Sequence, residues 1–328
     1  MNSTTSFAAT IPPNTNLYHY TPTKSLCYLF LILFSLSTAG HVFFAFRYRL
    51  WWIFPTIVLA GAGEIAGWVS RAVSSNNPTI QSVYIIQSTC LVLAPTALLA
   101  SIFIIFARLS ECVGSRYGRL TSRLYSRIFL TCDIVALLIQ GNGGGLAASA
   151  KTESLQKLGS DIMLVGIIFQ TVAMIVFIIL ASEFFYRYFK DLPARPEESY
   201  YNPSRATGRI PLSRNLKLMI IGLSLAMLFL LIRGFYRIFE LADGWNGRII
   251  STQWLFSEHT VPVREHSNPI PPTDTFDGAM IVLAMYTLNV FHPGPLLSGS
   301  TQDSASSSEA DKPVPVYGHV ETLQMRAV

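Results

Sequence analysis

The sequence predicts an all-α, polytopic membrane protein: seven transmembrane helices in one bundle, the N-terminus outside and the C-terminus cytosolic. Three observations predict it. The 328 residues are 51% hydrophobic and only 13% charged, with a mean hydropathy of +0.41, where an ordinary soluble domain is about 25% charged. Seven apolar runs approach the ~20 residues that a helix needs to cross hydrocarbon. Lys and Arg gather on the loops of one side.

Residues 1–24 are polar, with no basic stretch ahead of an early apolar core. They read as an external tail and not as a cleaved signal peptide. The sequon Asn2-Ser3-Thr4 makes Asn2 a glycosylation candidate on that side. The spans follow at 25–46, 51–70, 85–107, 128–149, 161–185, 216–236 and 276–297, one domain over 25–297. Span three contains Pro95, which kinks a helix and frees a carbonyl. Arg47 and Arg49 follow span one. Arg108, Arg116, Arg119, Arg123 and Arg127 follow span three, and a long basic segment with Arg187, Arg195 and Arg205 follows span five. The other side holds fewer cations, among them Lys24, Arg71, Lys157 and Arg248, so the basic side is placed in the cytosol. The tail, 298–328, is rich in Ser, Asp, Glu and Pro. It reads as disordered cytosolic chain, either a mere solvated tail or a phosphorylated one that meets cytosolic regulators.

Several spans carry polar groups at helical spacing. Asp133 and Gln140 are seven apart and share one face of span four, which Gly144 joins. Gly141 and Gly145 form a small-xxx-small pair suited to close helix approach. In span two Gly63 and Gly67 flank Glu64, with Arg71 seven residues beyond it. Arg233, Arg237 and Glu240 form one stripe at the end of span six, and Asp277 opens span seven. Glycine-rich faces serve tight packing, and an Arg/Glu stripe also suits a buried ion-pair network. Ionisable groups inside a membrane are costly and by default mark a pathway, so Glu64 and Asp133 on different helices point to a polar cavity.

Other chemistries find little support. No GxxxxGK[ST] or GxSxG occurs, which leaves no P-loop motor and no serine nucleophile of that kind. Cys27, Cys90, Cys112 and Cys132 make no CxxC, so neither a disulfide framework nor a metal site is suggested. His259 and His266 with Glu258 and Glu265 read as a solvated loop before a metal site. No cofactor and no nucleic-acid partner are implied, and the chain reads as a non-enzyme.

The assembled pattern resembles the fungal lipid-translocating exporter family, the RTA-like proteins of aminocholesterol-resistance, molasses-resistance, long-chain-base-release and protoporphyrin-uptake type. The residues that carry the resemblance run from about Thr21 to Leu297. They are Glu64-x-x-Gly67-Trp68-x-x-Arg71; Gln87 with APTALLAS; Asp133 through Gln140-Gly141-Asn142-Gly143-Gly144-Gly145; Arg233-x-x-x-Arg237-x-x-Glu240; Phe276-Asp277; and His292-Pro293-Gly294. The resemblance implies a seven-helix protein of the plasma membrane, or of the vacuole, that moves or releases amphipathic lipids or confers resistance to toxic compounds. One segment departs from it: residues 259–275 intervene between Glu258 and the Phe-Asp pair. They read as an extended outer loop or as a gene-model insertion.

Two functional classes fit. In the first, a transporter or exporter, the polar stripes pass a headgroup while the chains stay in hydrocarbon. Glu64, Arg71, Gln87, Asp133, Gln140, Arg233, Arg237, Glu240 and Asp277 are its candidate residues. Its partners are membrane lipids or amphipathic small molecules. In the second, a seven-helix receptor, the cytosolic loops and tail signal lipid or drug stress, although ARLSEC after span three is no DRY-like box.

Overall fold

In most spans apolar residues lie all round the helix and not on one face, as in helices bathed in lipid, while α2 keeps a marked polar side. The computed structural model, which describes residues 24–75, 80–150, 152–194, 212–242 and 272–296, forms helices from these runs. They are α1 (Lys24–Arg47), α2 (Leu59–Ser74), α3 (Gln81–Val113), α4 (Ser122–Ser149), α5 (Glu153–Lys190), α6 (Arg214–Ala242) and α7 (Pro272–Val290). Seven segments are long and apolar enough to cross a membrane, α2 doing so together with the tight turns over Trp51–Val58 that lead into it. Asn2, the tail 298–328 and residues 259–271 of the departing segment lie outside the described residues.

The helices outrun the expected spans. α5 has 38 residues, about 57 Å at 1.5 Å per residue, because hydropathy marks only the length inside hydrocarbon. α7 begins at Pro272, inside the departing segment, since proline suits a first helical turn. Successive helices pack on one another, α7 returns to α1, and α3 reaches across to α6. α3 is the most buried span. Val165, Val172, Val176 and Ile179 make an exposed apolar stripe along α5, the face that meets lipid. Inside, Phe103 and Phe106 of α3 meet Phe129 of α4 and Phe177 of α5 with ring centroids 4.7 to 5.4 Å apart. Such pairs add about 0.5–1.5 kcal/mol beyond burial alone.

At that end the α3–α4 loop is fastened to α5. The buried Tyr117 donates its hydroxyl to Asp191 Oδ1 at 2.6 Å and accepts from Arg116 Nη2 at 2.7 Å. Asp191 caps α5 in the left-handed region, at φ +52°. Burial first, and then the bond to Asp191, push the Tyr117 hydroxyl above its ordinary pKa. Just beyond α7, beside Phe44 of α1, His292 Nδ1 accepts the Gly294 amide at 3.0 Å, so the His-Pro-Gly motif is a self-capped turn. His41 of α1 donates Nε2–H to the Met285 carbonyl of α7 at 3.2 Å.

The glycines sort differently from the expectation. Gly141 and Gly145 have open space where a Cβ would stand, so they make no close approach. Gly143 does. A Cβ there would lie 2.7 Å from the Gly159 carbonyl oxygen and against the Met163 backbone, and Gly159 in turn presses on Ala147. The seam of α4 and α5 therefore rests on Gly143 and Gly159, because α4 is turned by a fraction of a turn from the face assumed. A Cβ at Gly144 would make an ordinary contact, 3.5 Å from Met163 Sδ. On α2, a Cβ at Gly63 would stand 3.0 Å from the Ala94 Cβ and one at Gly67 would run into the Leu91 side chain, so these glycines bring α2 tight onto α3.

Candidate functional site

Pro95 sits inside α3 and has no N–H to give to the carbonyl four residues before it, that of Leu91. Arg233 of α6 takes that place: its Nη2 donates to the Leu91 oxygen at 3.2 Å. The same guanidinium grips Asp277 of α7, with Nε 2.9 Å from Oδ1 and Nη2 3.3 Å from Oδ2. One arginine thus joins three helices. Both side chains are nearly buried, at 12% and 11% exposure, where an ion pair escapes most screening. One turn further along α6, Arg237 Nη1 donates to Glu240 Oε2 at 2.8 Å.

Glu64 projects from α2 between Gly63 and Gly67 and is fully buried. Neither carboxylate oxygen makes a hydrogen bond of ordinary geometry, and the Trp68 indole, whose N–H is likewise unpaired, lies beside it. Its charged neighbours are Asp277, Arg233 and Arg237. Arg71 and Gln87 are buried too. The Arg71 guanidinium lies 5.6 Å from the Trp68 ring, one turn beyond Glu64.

A second polar system joins α4 to α5. Asp133 and Gln140 lie on one buried face, as their spacing requires. Gln170 of α5 bridges them: its Nε2 donates to Asp133 Oδ1 at 2.7 Å and its Oε1 accepts from Gln140 Nε2 at 2.8 Å. Gln170 is absent from the sequence-derived set. Its signal was available, a lone amide in the apolar run IIFQTVA. Gly166, one turn earlier, lets α5 lie on Gln140.

The two systems meet at a cavity between α3, α4, α5 and α6. Gln140, Gln170, Thr171, Arg233 and Arg237 give it polar walls, with Pro95 among the apolar ones. Its volume is about 20 Å³, room for little more than a water. Asp133, Asp277 and Glu240 stand behind this lining, each bonded to one of its residues, and Glu64, Arg71 and Gln87 lie outside it. The cavity thus presents amides, a hydroxyl and guanidinium groups, with the acids in support. Among the described residues no group of His, Cys, Asp and Glu is placed to hold a metal.

The fold and this interior define an integral, multi-pass membrane protein with a polar seam at its centre. The family model described as RTA1 like protein matches residues 57–258, and the chain belongs to that family. The match covers Glu64, Asp133, Gln140, Arg233 and Arg237 and stops at Glu258, where the departing segment begins. The chain is similar to the sphingoid long-chain base transporter RSB1 of Saccharomyces cerevisiae, 27% identical over 77% of this chain and 67% of the relative. It is 28% identical to protoporphyrin uptake protein 1 of the same yeast, over 73% of this chain and 85% of the relative. Protein RTM1 of Saccharomyces cerevisiae is 29% identical over 58% of this chain and 57% of its own. The chain spans about two thirds of the length of the long-chain base transporter. No solved structure matches.

Proposed function

We propose that the chain moves or releases amphipathic lipids or similar xenobiotics. A polar headgroup passes along the seam between α3, α4, α5 and α6 while the apolar part of the cargo stays in lipid. The observation that carries this reading is the convergence of Gln140, Gln170, Arg233 and Arg237 on one interior cavity. Polar groups at that depth are expensive, and a packing role alone is met more cheaply by apolar residues. The names of the relatives support it, since a long-chain base and a protoporphyrin each join a large apolar body to ionisable groups. Arg233 and Arg237 suit an anionic headgroup, and Glu64, Asp133 and Asp277 a cationic amine. A cavity of about 20 Å³ is smaller than either headgroup, so in this reading cargo requires the helices to part.

The orientation in this reading places the N-terminus outside and the tail in the cytosol, with the plasma membrane as the site of action. Arg47, Arg49, Arg108, Arg123, Arg127 and Lys190, near the ends joined by the first and third loops and beyond α5, then face the anionic cytosolic leaflet.

The test is transbilayer movement of fluorescent long-chain bases and phospholipids in liposomes of purified protein, with and without an imposed proton gradient. Flux that is lost in Asp133→Asn is the expected result. An absence of flux for the wild type under every gradient overturns the transport reading and turns attention to ligand-dependent coupling to a cytosolic partner.

A further inference from the structure

Glu64 is a fully buried acid with neither oxygen in a hydrogen bond of ordinary geometry; the Trp68 indole lies beside it as a donor, and Arg233 and Arg237 are its cationic neighbours. A buried carboxylate left so costs several kcal/mol unless a proton or a cation completes it. Arg233 is close by and incompletely used. Its Nε and Nη2 serve Asp277 and the Leu91 carbonyl, while Nη1 makes no hydrogen bond among the described residues. The packing also lets α2 and α6 approach a shared partner. Gly63 and Gly67 bring α2 onto α3 at Ala94 and Leu91, and Leu91 is the residue whose carbonyl Arg233 holds from α6. The carbonyl that Pro95 leaves open is therefore a fixed post for the arginine that holds Asp277 of α7, on the helix against which α2 packs at Gly63 and Gly67.

We infer that Arg233 is a two-position cation that pairs with Asp277 in this conformation and with Glu64 in another, pivoting on the Leu91 carbonyl. The inference deepens the transport reading by naming what exchanges as the seam opens. Protons balance across the exchange. The acid that Arg233 leaves takes up one proton, and the acid that it joins gives one up. In the conformation described here Arg233 is on Asp277, which leaves Glu64 as the acid that a proton or a cation completes. When Arg233 crosses to Glu64, the ion pair that joins α7 to α6 is lost, and that release loosens one wall of the bundle. A cationic group on a cargo would satisfy the abandoned acid as well as a proton does.

Infrared spectroscopy of the purified full chain tests this without any flux assay. The wild type should show the carbonyl stretch of a protonated carboxyl that is missing from Glu64→Gln. That band should vanish in Asp277→Asn, because Arg233, deprived of Asp277, turns to Glu64 and ionises it. A wild type without the band, or a band that persists in Asp277→Asn, overturns the exchange. If Asp277→Asn is unstable, adding Arg233→Gln decides. Further loss of thermal stability is expected when Arg233 has found Glu64, and recovery shows that Arg233 was stranded and overturns the proposal. Failure of liposome flux with the band behaving as expected would sink the transport reading and leave the exchange standing.

Discussion

Gln170 of α5 donates its side-chain amide to Asp133 of α4 at 2.7 Å. The other end of the same amide accepts from Gln140, so its orientation is fixed from both sides. Asp133→Asn keeps an oxygen that accepts from Gln170 and removes only the charge. Its thermal stability in detergent should therefore change by about 1 kcal/mol or less, the worth of one altered hydrogen bond, while flux in liposomes falls at least tenfold. Gln170→Leu should do the reverse to stability. It strands Asp133 and Gln140 together, at about 1–3 kcal/mol for each buried group left unsatisfied. A Gln170→Leu protein that unfolds at the wild-type temperature would show that the bridge contributes nothing.

The glycines of α4 offer a sharper contrast, because neighbours two residues apart should behave oppositely. A Cβ at Gly143 would meet backbone atoms of Gly159 and Met163, which cannot rotate away. Gly143→Ala should cost about 1–3 kcal/mol, as overpacking does. Gly141→Ala and Gly145→Ala enter open space and should be neutral or gain up to about 1 kcal/mol from helix propensity. Thermal unfolding of the three purified variants side by side checks this. Equal behaviour of Gly141→Ala and Gly143→Ala would contradict the rotation of α4 described above.

What the sequence could and could not say follows the same physics. Hydropathy places all seven spans, because the cost of polar groups in hydrocarbon is severe. It misses the ends of α5, since outside the hydrocarbon nothing in hydropathy tells a continuing helix from a loop. Helical spacing correctly puts Asp133 with Gln140 on one buried face. It cannot say which neighbour turns toward which glycine, so Gly143 was passed over for Gly141 and Gly145. The freed carbonyl is implicit in Pro95, and its position four residues back follows from the helix itself. That Arg233 would occupy it, while holding Asp277 from a helix 44 residues on, depends on how α3, α6 and α7 pack, which one sequence does not record. Gln170 was legible by the argument that found Gln140, an amide alone in an apolar run.

Pro95→Ala should separate the kink from the fold. It restores an N–H that can bond the Leu91 carbonyl, and the new donor competes with Arg233 for that oxygen. A helix interior gains from losing proline, so the unfolding temperature should hold or rise. Flux should fall several-fold, because Arg233 loses its post. Unchanged flux with intact protein would mean that the Leu91–Arg233 contact is incidental to movement of cargo.

The tie between the α3–α4 loop and α5 carries a pH signature. Burial and the acceptor Asp191 raise the Tyr117 pKa above the ordinary value of 10.0. The folded state then holds the phenolic proton at a pH where the unfolded chain has released it. Its stabilising contribution is complete below the unfolded pKa and is lost as pH rises from there through the folded one. Tyr117→Phe removes the bonds to Asp191 and Arg116 and should cost about 1 kcal/mol at neutral pH. The gap between wild type and variant should narrow only above about pH 10, where the wild type alone pays for deprotonating this residue on the alkaline side. Unfolding curves of both proteins at neutral pH and at two alkaline values decide it. A gap that stays constant across that range would show that the Tyr117 hydroxyl does not hold the loop.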